Sequence, residues 1–365
     1  MQKTITCKIH DLTKVKERVL QSEYGEFQHI CKEVQEWRDN DYPDTDRPYF
    51  MFKTPTRYSA TVWGAIRSIK KPFRNLNEQP LYLRNDVFKI TENQTKISKH
   101  WLKLPTKTKH GGIWLPIHVP HKYEALLQLK VCDSKIIKKK GDWYLLLSVK
   151  TEKQIKTSYS NILAIDLGEK VMATVCGSDS KPLFLGREVR GIRRHYAWLR
   201  KRLGNKKALK TIKKIGDTEK RKVNDCLHKI SRQIVDKAKA EDSVIVLGDL
   251  KGIRESAKGK GKRFNRIVSN MPYYKLTQYI TYKAEWDGIA VVKINERGTS
   301  HTCSQCGGQG KRPHQGLFKC SACGYQANAD WNGAQNIQKR FLEQASKNGA
   351  PLAEPITMQA VATHA

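Results

Sequence analysis

The sequence predicts a multidomain chain: a β-barrel-like antiparallel domain with an inserted helical lobe, then an α/β domain that is itself interrupted by a small cysteine-rich ribbon. Three observations carry this expectation. Short alternating strands lie between about Pro80 and Glu152, apolar strands alternate with helices from Asn161, and two C-x2-C knuckles stand near the end. At about 150 residues per domain, 365 residues suggest two or three domains.

The opening residues alternate at Ile5, Cys7 and Ile9, the pattern of one strand. From Lys14 to Arg38, Val15, Val19, Leu20, Phe27, Ile30, Cys31, Val34 and Trp37 recur mostly every three or four positions, which predicts a helix, with Gly25 interrupting or bending it. A second helix is expected over about Tyr58 to Phe73, before a turn at Asn75-Leu76-Asn77. Between Pro80 and Glu152, runs such as Ile113 to Ile117 and Trp143 to Val149 are separated by Gly, Pro and Asp and predict antiparallel strands of a small barrel or sandwich. The opening strand is a candidate to join them, leaving the helices as an insertion.

From Asn161 the pattern changes. Ile162-Leu163-Ala164-Ile165-Asp166 is an apolar run ending in an acid, and Val171 to Cys176 and Leu183 to Leu185 are two more strands. A helical hairpin follows, its arms carrying Val189, Ile192, Tyr196, Leu199, Leu203 and Val223, Leu227, Ile230, Ile234, with its turn expected near Gly216-Asp217. Strands at Ser243 to Leu247 and Ile289 to Ile294 flank a helix over Tyr273 to Trp286, which a basic loop at residues 258 to 263 precedes. A last helix is expected over Asp330 to Leu342, and a disordered tail beyond Ser346. Three strands followed by alternating helices and strands is the RNase H type of order.

Lys and Arg number 68 against 35 Asp and Glu, a net charge of +33, far more than solubility requires. The excess spans folded segments and so points to a nucleic-acid partner over a membrane surface. Residues 187 to 240 alone hold 19 Lys or Arg and five acids. No apolar run approaches the roughly 18 to 20 residues that cross a bilayer, and the N-terminus lacks a secretory pattern, so a cytoplasmic chain is expected, nucleoid-associated in a prokaryotic host.

Three acids, Asp166, Glu296 and Asp330, lie at strand ends or at a helix start. A sheet that sets those strands side by side gathers the carboxylates into one cluster suited to two Mg2+ or Mn2+ ions, the hard-oxygen arrangement of phosphodiester hydrolysis. Each acid alone has a plainer reading as a cap or turn residue. Asp330 in particular suits the N-cap of its helix, and Asp249 the turn after its strand. The knuckles Cys303/Cys306 and Cys320/Cys323, separated by 13 residues and followed by Gly307 and Gly324, have the spacing of a structural Zn2+ ribbon. Four thiolates fill a tetrahedron, so His301 and His314 are not needed. Cys7, Cys31, Cys132, Cys176 and Cys226 lack ligand spacing and are expected as buried apolar thiols.

From Ile162 to Phe341 the sequence resembles the TnpB family, transposon-encoded relatives of the type V CRISPR effectors. The resemblance rests on Ala164-Ile165-Asp166-Leu167-Gly168, Gly248-Asp249-Leu250-Lys251-Gly252-Ile253-Arg254, Tyr282-Lys283-Ala284, Gly298-Thr299-Ser300-His301-Thr302-Cys303-Ser304-Gln305-Cys306-Gly307 and Asn328-Ala329-Asp330-Trp331-Asn332-Gly333-Ala334-Gln335-Asn336-Ile337. Lys140-Gly141-Asp142-Trp143-Tyr144 is similar to the end of the family's wedge domain. The resemblance implies a wedge domain at 1–14 and 80–157, a helical recognition lobe at 15–79, a RuvC-like nuclease domain at 158–299 and 326–346, a zinc ribbon at 300–325 and a tail at 347–365.

It also implies an RNA-guided DNA endonuclease associated with a mobile element. One chain would hold a guide RNA and target double-stranded DNA, with base pairing supplying most of the discrimination and the N-terminal region reading a short adjacent DNA motif. Many members carry a catalytic Glu where this chain has Gly248; some have Gly there and a Glu before the Thr-Ser segment, the place of Glu296. The implied catalytic metal ligands are therefore Asp166, Glu296 and Asp330. The alternative is a nuclease-inactive RNA-guided repressor. A DNA-strand transferase using Tyr273 or Tyr274 lacks the clustered Arg and His it needs. Tyr58 beside Arg57 and Trp63 near Arg67 have two readings, base stacking or helix core.

Overall fold

A computed structural model describes residues 1–39, 79–106, 112–179, 181–250, 261, 272–314, 316–347 and 356–357. The expected helix over 58–73 with Tyr58 and Trp63, the turn at 75–77, nearly all of the basic loop and most of the tail lie outside these residues. The chain divides into two compact units, Met1–Glu152 and Lys153–Ala365.

In the first unit β1 (Gln2–Ile9) is paired with strands far along the chain. With β2 (Leu81–Leu83), β3 (Lys89–Glu92), β4 (His100–Leu104), β5 (Ile113–His118), β6 (Lys130–Lys139) and β7 (Asp142–Lys150), it forms one sheet of order β2-β6-β7-β1-β5-β4-β3. The expected barrel or sandwich is thus a single seven-stranded sheet with β1 inside it. β1 and β7 pair antiparallel from Gln2↔Lys150 to Ile9↔Trp143, and alternate residues of both are buried: Ile5, Cys7, Ile9 and Trp143, Leu145, Leu147, Val149. Helix α1 (Lys14–Asp39) runs through Gly25 without the interruption that glycine offered. Its stripe of Leu20, Tyr24, Phe27, Ile30, Cys31 and Val34 is buried, and Tyr24 meets Trp143 edge to face with ring centroids 5.3 Å apart. Helix and sheet thus close over one apolar face.

The second unit is built on a five-stranded sheet of order β11-β10-β9-β12-β13. Strands β9 (Asn161–Asp166), β10 (Ala173–Cys176) and β11 (Leu183–Leu185) form an antiparallel meander, and β12 (Ser243–Asp249) and β13 (Val291–Asn295) extend it in parallel with β9. Ile162 to Ile165 and Val244 to Leu247 are buried throughout, as strands covered on both faces must be. Cover comes from α2 (Arg187–Asn205), α3 (Leu209–Ala240), α4 (Tyr273–Asp287) and α5 (Ala329–Lys347), whose Val189, Leu227, Ile234, Ile280, Ile337 and Phe341 share the core.

The hairpin of α2 and α3 turns at residues 206 to 208, where Lys207 takes a left-handed φ of 52°, and not at Gly216-Asp217. Gly216 is helical because the stripe Ile212, Ile215, Glu219, Val223 keeps its phase across it, and the packing of that stripe outweighs the roughly 1 kcal/mol helical cost of one glycine. Glu219, the polar member of the stripe, is buried between Arg193 (3.7 Å) and Arg200 of α2.

Strands β14 (Gly310–His314), β15 (Leu317–Cys320) and β16 (Gln326–Ala327) make the ribbon's sheet. Within the range expected to be a disordered tail, Lys347 ends α5 and Ile356–Thr357 pair antiparallel, as β17, with β8 (Ser158–Tyr159). Among the described residues no helix is long and apolar enough to cross a membrane.

Candidate functional site

Register decides where the acids go. Leu247 lies opposite Ile165 and Asp249 opposite Asn295, so β9, β12 and β13, all parallel, end at one edge. Asp166 closes β9, Gly248 and Asp249 close β12, and Glu296 follows β13. The carboxyl edge of such a sheet is where open α/β folds place their ligand chemistry.

Each acid approaches this edge against a glycine. The Glu296 carboxylate lies over Gly248, where a Cβ would stand 3.2 Å from its Cδ and closer still to Oε2. A Cβ on Gly333 of α5 would be 2.7 Å from Asp166 Oδ2, so helix and carboxylate meet only because that residue is glycine. Asp330 sits in the first turn of α5 with its carboxylate beside Gly168. The capping role open to Asp330 belongs to Asn328, whose Oδ1 accepts from the N–H groups of Asp330 (2.9 Å) and Trp331 (3.1 Å).

Asp166 feels the other two carboxylates. Asp166 is pushed up to about 7, first by the buried surroundings of its strand end, then by the negative charges of Glu296 and Asp330, against the opposing pull of Arg312 and the Leu167 N–H. Burial also raises Glu296, with Asp249 adding to it, and raises Asp330 against Arg312 and Lys170. Two further residues belong to this neighbourhood. Burial and the charges of Glu169, Asp166, Glu296 and Asp330 push the Tyr273 phenol well up. Arg312 reaches in from the ribbon and donates to the carbonyls of Ser300 (3.1 Å) and Ala329 (3.2 Å). Arg312 carried no sequence signal beyond its place on the ribbon hairpin, and Tyr273 only that it opens α4.

The cysteines form the tighter group. Sγ atoms stand 3.8 Å apart for Cys303–Cys323 and 3.6 Å for Cys306–Cys320, and all four lie within 4.8 Å of one another. Among the described residues this is the group whose ligand atoms converge at metal-binding separation, whereas the carboxylates are neighbours by charge. Gly307 and Gly324 turn each knuckle at φ of 75° and 72°. The N–H groups of Cys323 and Ala322 point at the Cys320 sulfur and draw its thiol down to about 6. His301 and His314 are exposed and outside the group.

Helix α5 carries both sites. Asn332 Oδ1 accepts from Ser304 N at 2.9 Å while its Nδ2 donates to Thr302 O at 2.8 Å, and Asn336 Nδ2 donates to Thr299 O and Thr302 O at 2.9 and 2.7 Å. Asp330 and the ribbon are therefore fixed by one helix, a role for the two asparagines that spacing alone did not suggest. Of the unassigned cysteines, Cys7, Cys31 and Cys176 are buried, their thiols pushed up by that burial to about 12, 12 and 11; Cys132 and Cys226 are partly exposed, contrary to expectation.

Comparison with known proteins places residues 273–337 in the Cas12f1-like TNB domain family. The chain is 35% identical over 232 residues to the CRISPR-associated endodeoxyribonuclease Cas12f1 of Sulfoacidibacillus thermotolerans, a match covering 58% of this chain and 53% of that protein. To a TnpB-like protein of Methanocaldococcus jannaschii it is 32% identical over 200 residues, covering 52% of this chain and 72% of the other. The chain thus spans about half the length of the first relative and most of the second. In fold it is similar to Cas12f1 in the cryo-EM structure of a Cas12f1-sgRNA-target DNA complex, with a TM-score of 0.59 and 16% identity over 89% of this chain and 83% of that one.

Proposed function

This chain belongs to the TnpB-like family, and from that premise we propose that it is an RNA-guided DNA endonuclease whose cleavage site is the carboxylate edge of the second unit's sheet. The observation that carries the reading is the Glu296 carboxylate lying across Gly248 at the ends of β12 and β13. An acid one strand over fills the space that a side chain on β12 would use. The same observation weighs against a nuclease-inactive repressor, which has no need of a carboxylate there.

On this reading the second unit is the RuvC-like domain, the ribbon its insertion, and the first unit the wedge that reads the DNA beside the target. The guide RNA and target double-stranded DNA are the partners, and the +33 charge is matched to them. Asp166, Glu296 and Asp330 are the ligands for Mg2+ or Mn2+. The repulsion that Asp166 feels from the other two acids, only partly offset by Arg312, fits that assignment, since crowded hard-oxygen donors are a site for divalent cations. A pair of such ions supplies activation of a water and neutralisation of the leaving oxygen.

The chain's own residues do the rest. Asp166, held near neutral pH in its protonation, gives up its proton as the site is assembled. Arg312 brings a guanidinium to the acids, placed to meet a phosphate oxygen. Asn328 and Gly333 set the start of α5 so that Asp330 and Asp166 face the same edge. The four cysteines hold structural Zn2+, which leaves no open position for chemistry.

The test uses the purified chain with its co-purifying RNA. Sequencing that RNA defines the target; DNA matched to it is expected to be cut with Mg2+ and left whole with EDTA. Asp166→Ala and Glu296→Ala are each expected to lower the rate at least about a thousandfold, the loss typical of dismantling a catalytic unit. Undiminished cutting by Glu296→Ala would remove that residue from the site.

A further inference from the structure

Strand β10 carries a buried hydroxyl with nothing to bond. Thr174 is 1% exposed, and its Oγ1 is buried without a hydrogen-bond partner. Its neighbours Ala173, Val175 and Cys176 are buried and apolar, so valine, which has the same shape, would satisfy packing alone. Buried polar atoms in native proteins are almost always paired, and an exception calls for an explanation.

Register supplies one. Thr174 lies directly opposite Asp166 in the antiparallel β9–β10 pair, and opposed residues project to the same face with Cβ atoms about 4.5–5.5 Å apart. That face is the one under α5. Cys176, two residues on and so on the same side, donates its S–H to Gln338 of α5 at 3.3 Å, and the Asp166 carboxylate lies against Gly333 of the same helix. Thr174 is thus walled in by β9, by α5 and by the carboxylate opposite it, and an ionised carboxylate is an acceptor to which a threonine hydroxyl donates.

We propose that Thr174 is a positioning residue for the cleavage site: when divalent cations bind, its hydroxyl donates a hydrogen bond to the Asp166 carboxylate and fixes that group's orientation toward them. The proposal rests on the assignment of Asp166 as a cation ligand. Thr174 itself touches neither substrate nor cation. Its contribution is to hold the strand-end carboxylate in one rotamer, as partners of metal-bound carboxylates do.

The test is Mn2+ binding to the full chain with its RNA, read by EPR as the Mn2+ held in excess of the Asp166→Ala variant. Thr174→Val keeps the shape and removes the donor; Thr174→Ser keeps the donor. Thr174→Val is expected to weaken this Mn2+ binding about tenfold or more, with Thr174→Ser within about twofold of the parent. In cleavage the valine variant should need correspondingly more Mg2+ for half-maximal rate and recover at saturating Mg2+. Equal melting midpoints would show that the fold survives. A valine variant that binds Mn2+ like the parent while Asp166→Ala does not overturns the Thr174 role and leaves the site standing. If Asp166→Ala binds Mn2+ like the parent, the assignment of the site fails and takes the proposal with it.

Discussion

At position 166 an aspartate is held near pH 7 by burial and by two other acids, and this fixes the sign of a pH effect. Because the folded-state value lies above the unfolded one, the folded chain binds more protons between about pH 4 and 7, so the contribution of Asp166 to stability is greatest at low pH and lost as pH rises through 7. Cation-free Asp166→Asn should therefore melt at least about 2–4 °C above the parent at pH 8, with a smaller gain at pH 5 and none below about pH 4, as checked by scanning calorimetry; a gain that is larger at pH 5 than at pH 8 would reverse the argument. The sequence made these acids legible by their places at strand ends and a helix start. It left two things open that only coordinates supply: that Asn328 takes the cap and frees Asp330, and that Gly248 is the space in which Glu296 lies. Thr174 and Arg312 were not legible, since each matters through a partner on a different element.

Elements were easier to foresee than the joints between them. The phase of its apolar residues locates α3, but a glycine followed by an aspartate has the local chemistry of a turn, while the helix answers to a whole stripe. Glu219 shows what the true hairpin is for: its side chain is 7% exposed between the guanidiniums of Arg193 and Arg200, which are 32% and 38% exposed. Removing the acid leaves two cations facing one another, so Glu219→Ala is expected to destabilise the chain by about 2 kcal/mol in urea unfolding, less than the 3–5 of a fully buried pair because the arginines are partly hydrated. The ribbon is a second joint. Cys303→Ser should lose most bound zinc by atomic absorption and, since Asn332 and Asn336 hang the ribbon from α5, should lower the DNA-cutting rate as well as the melting midpoint. A variant that loses zinc yet cuts at full rate would uncouple the two sites.

For the molecule as a whole, charge was the most legible property and the first unit's sheet among the least. A net +33 predicts a partner from composition alone, and if six to ten phosphates are contacted, RNA affinity should fall about a thousandfold or more between about 50 and 200 mM salt in filter-binding titrations. A decline of only a few-fold would mean that most of the surplus faces solvent. The first unit's strands were foreseeable one by one from alternation. Their order was not, because β1 finds β7 across some 140 residues and nothing local encodes that pairing.

The guanidinium that the ribbon extends toward the acids has an implication for handling the protein and for the cell that holds it. Four sulfurs maintain a hairpin, the hairpin carries Arg312, and that cation helps draw protons off Asp166 and Asp330. Peroxide or a thiol-reactive reagent would therefore act as a remote brake: the scissors would go blunt through damage to sulfurs that take no part in the chemistry.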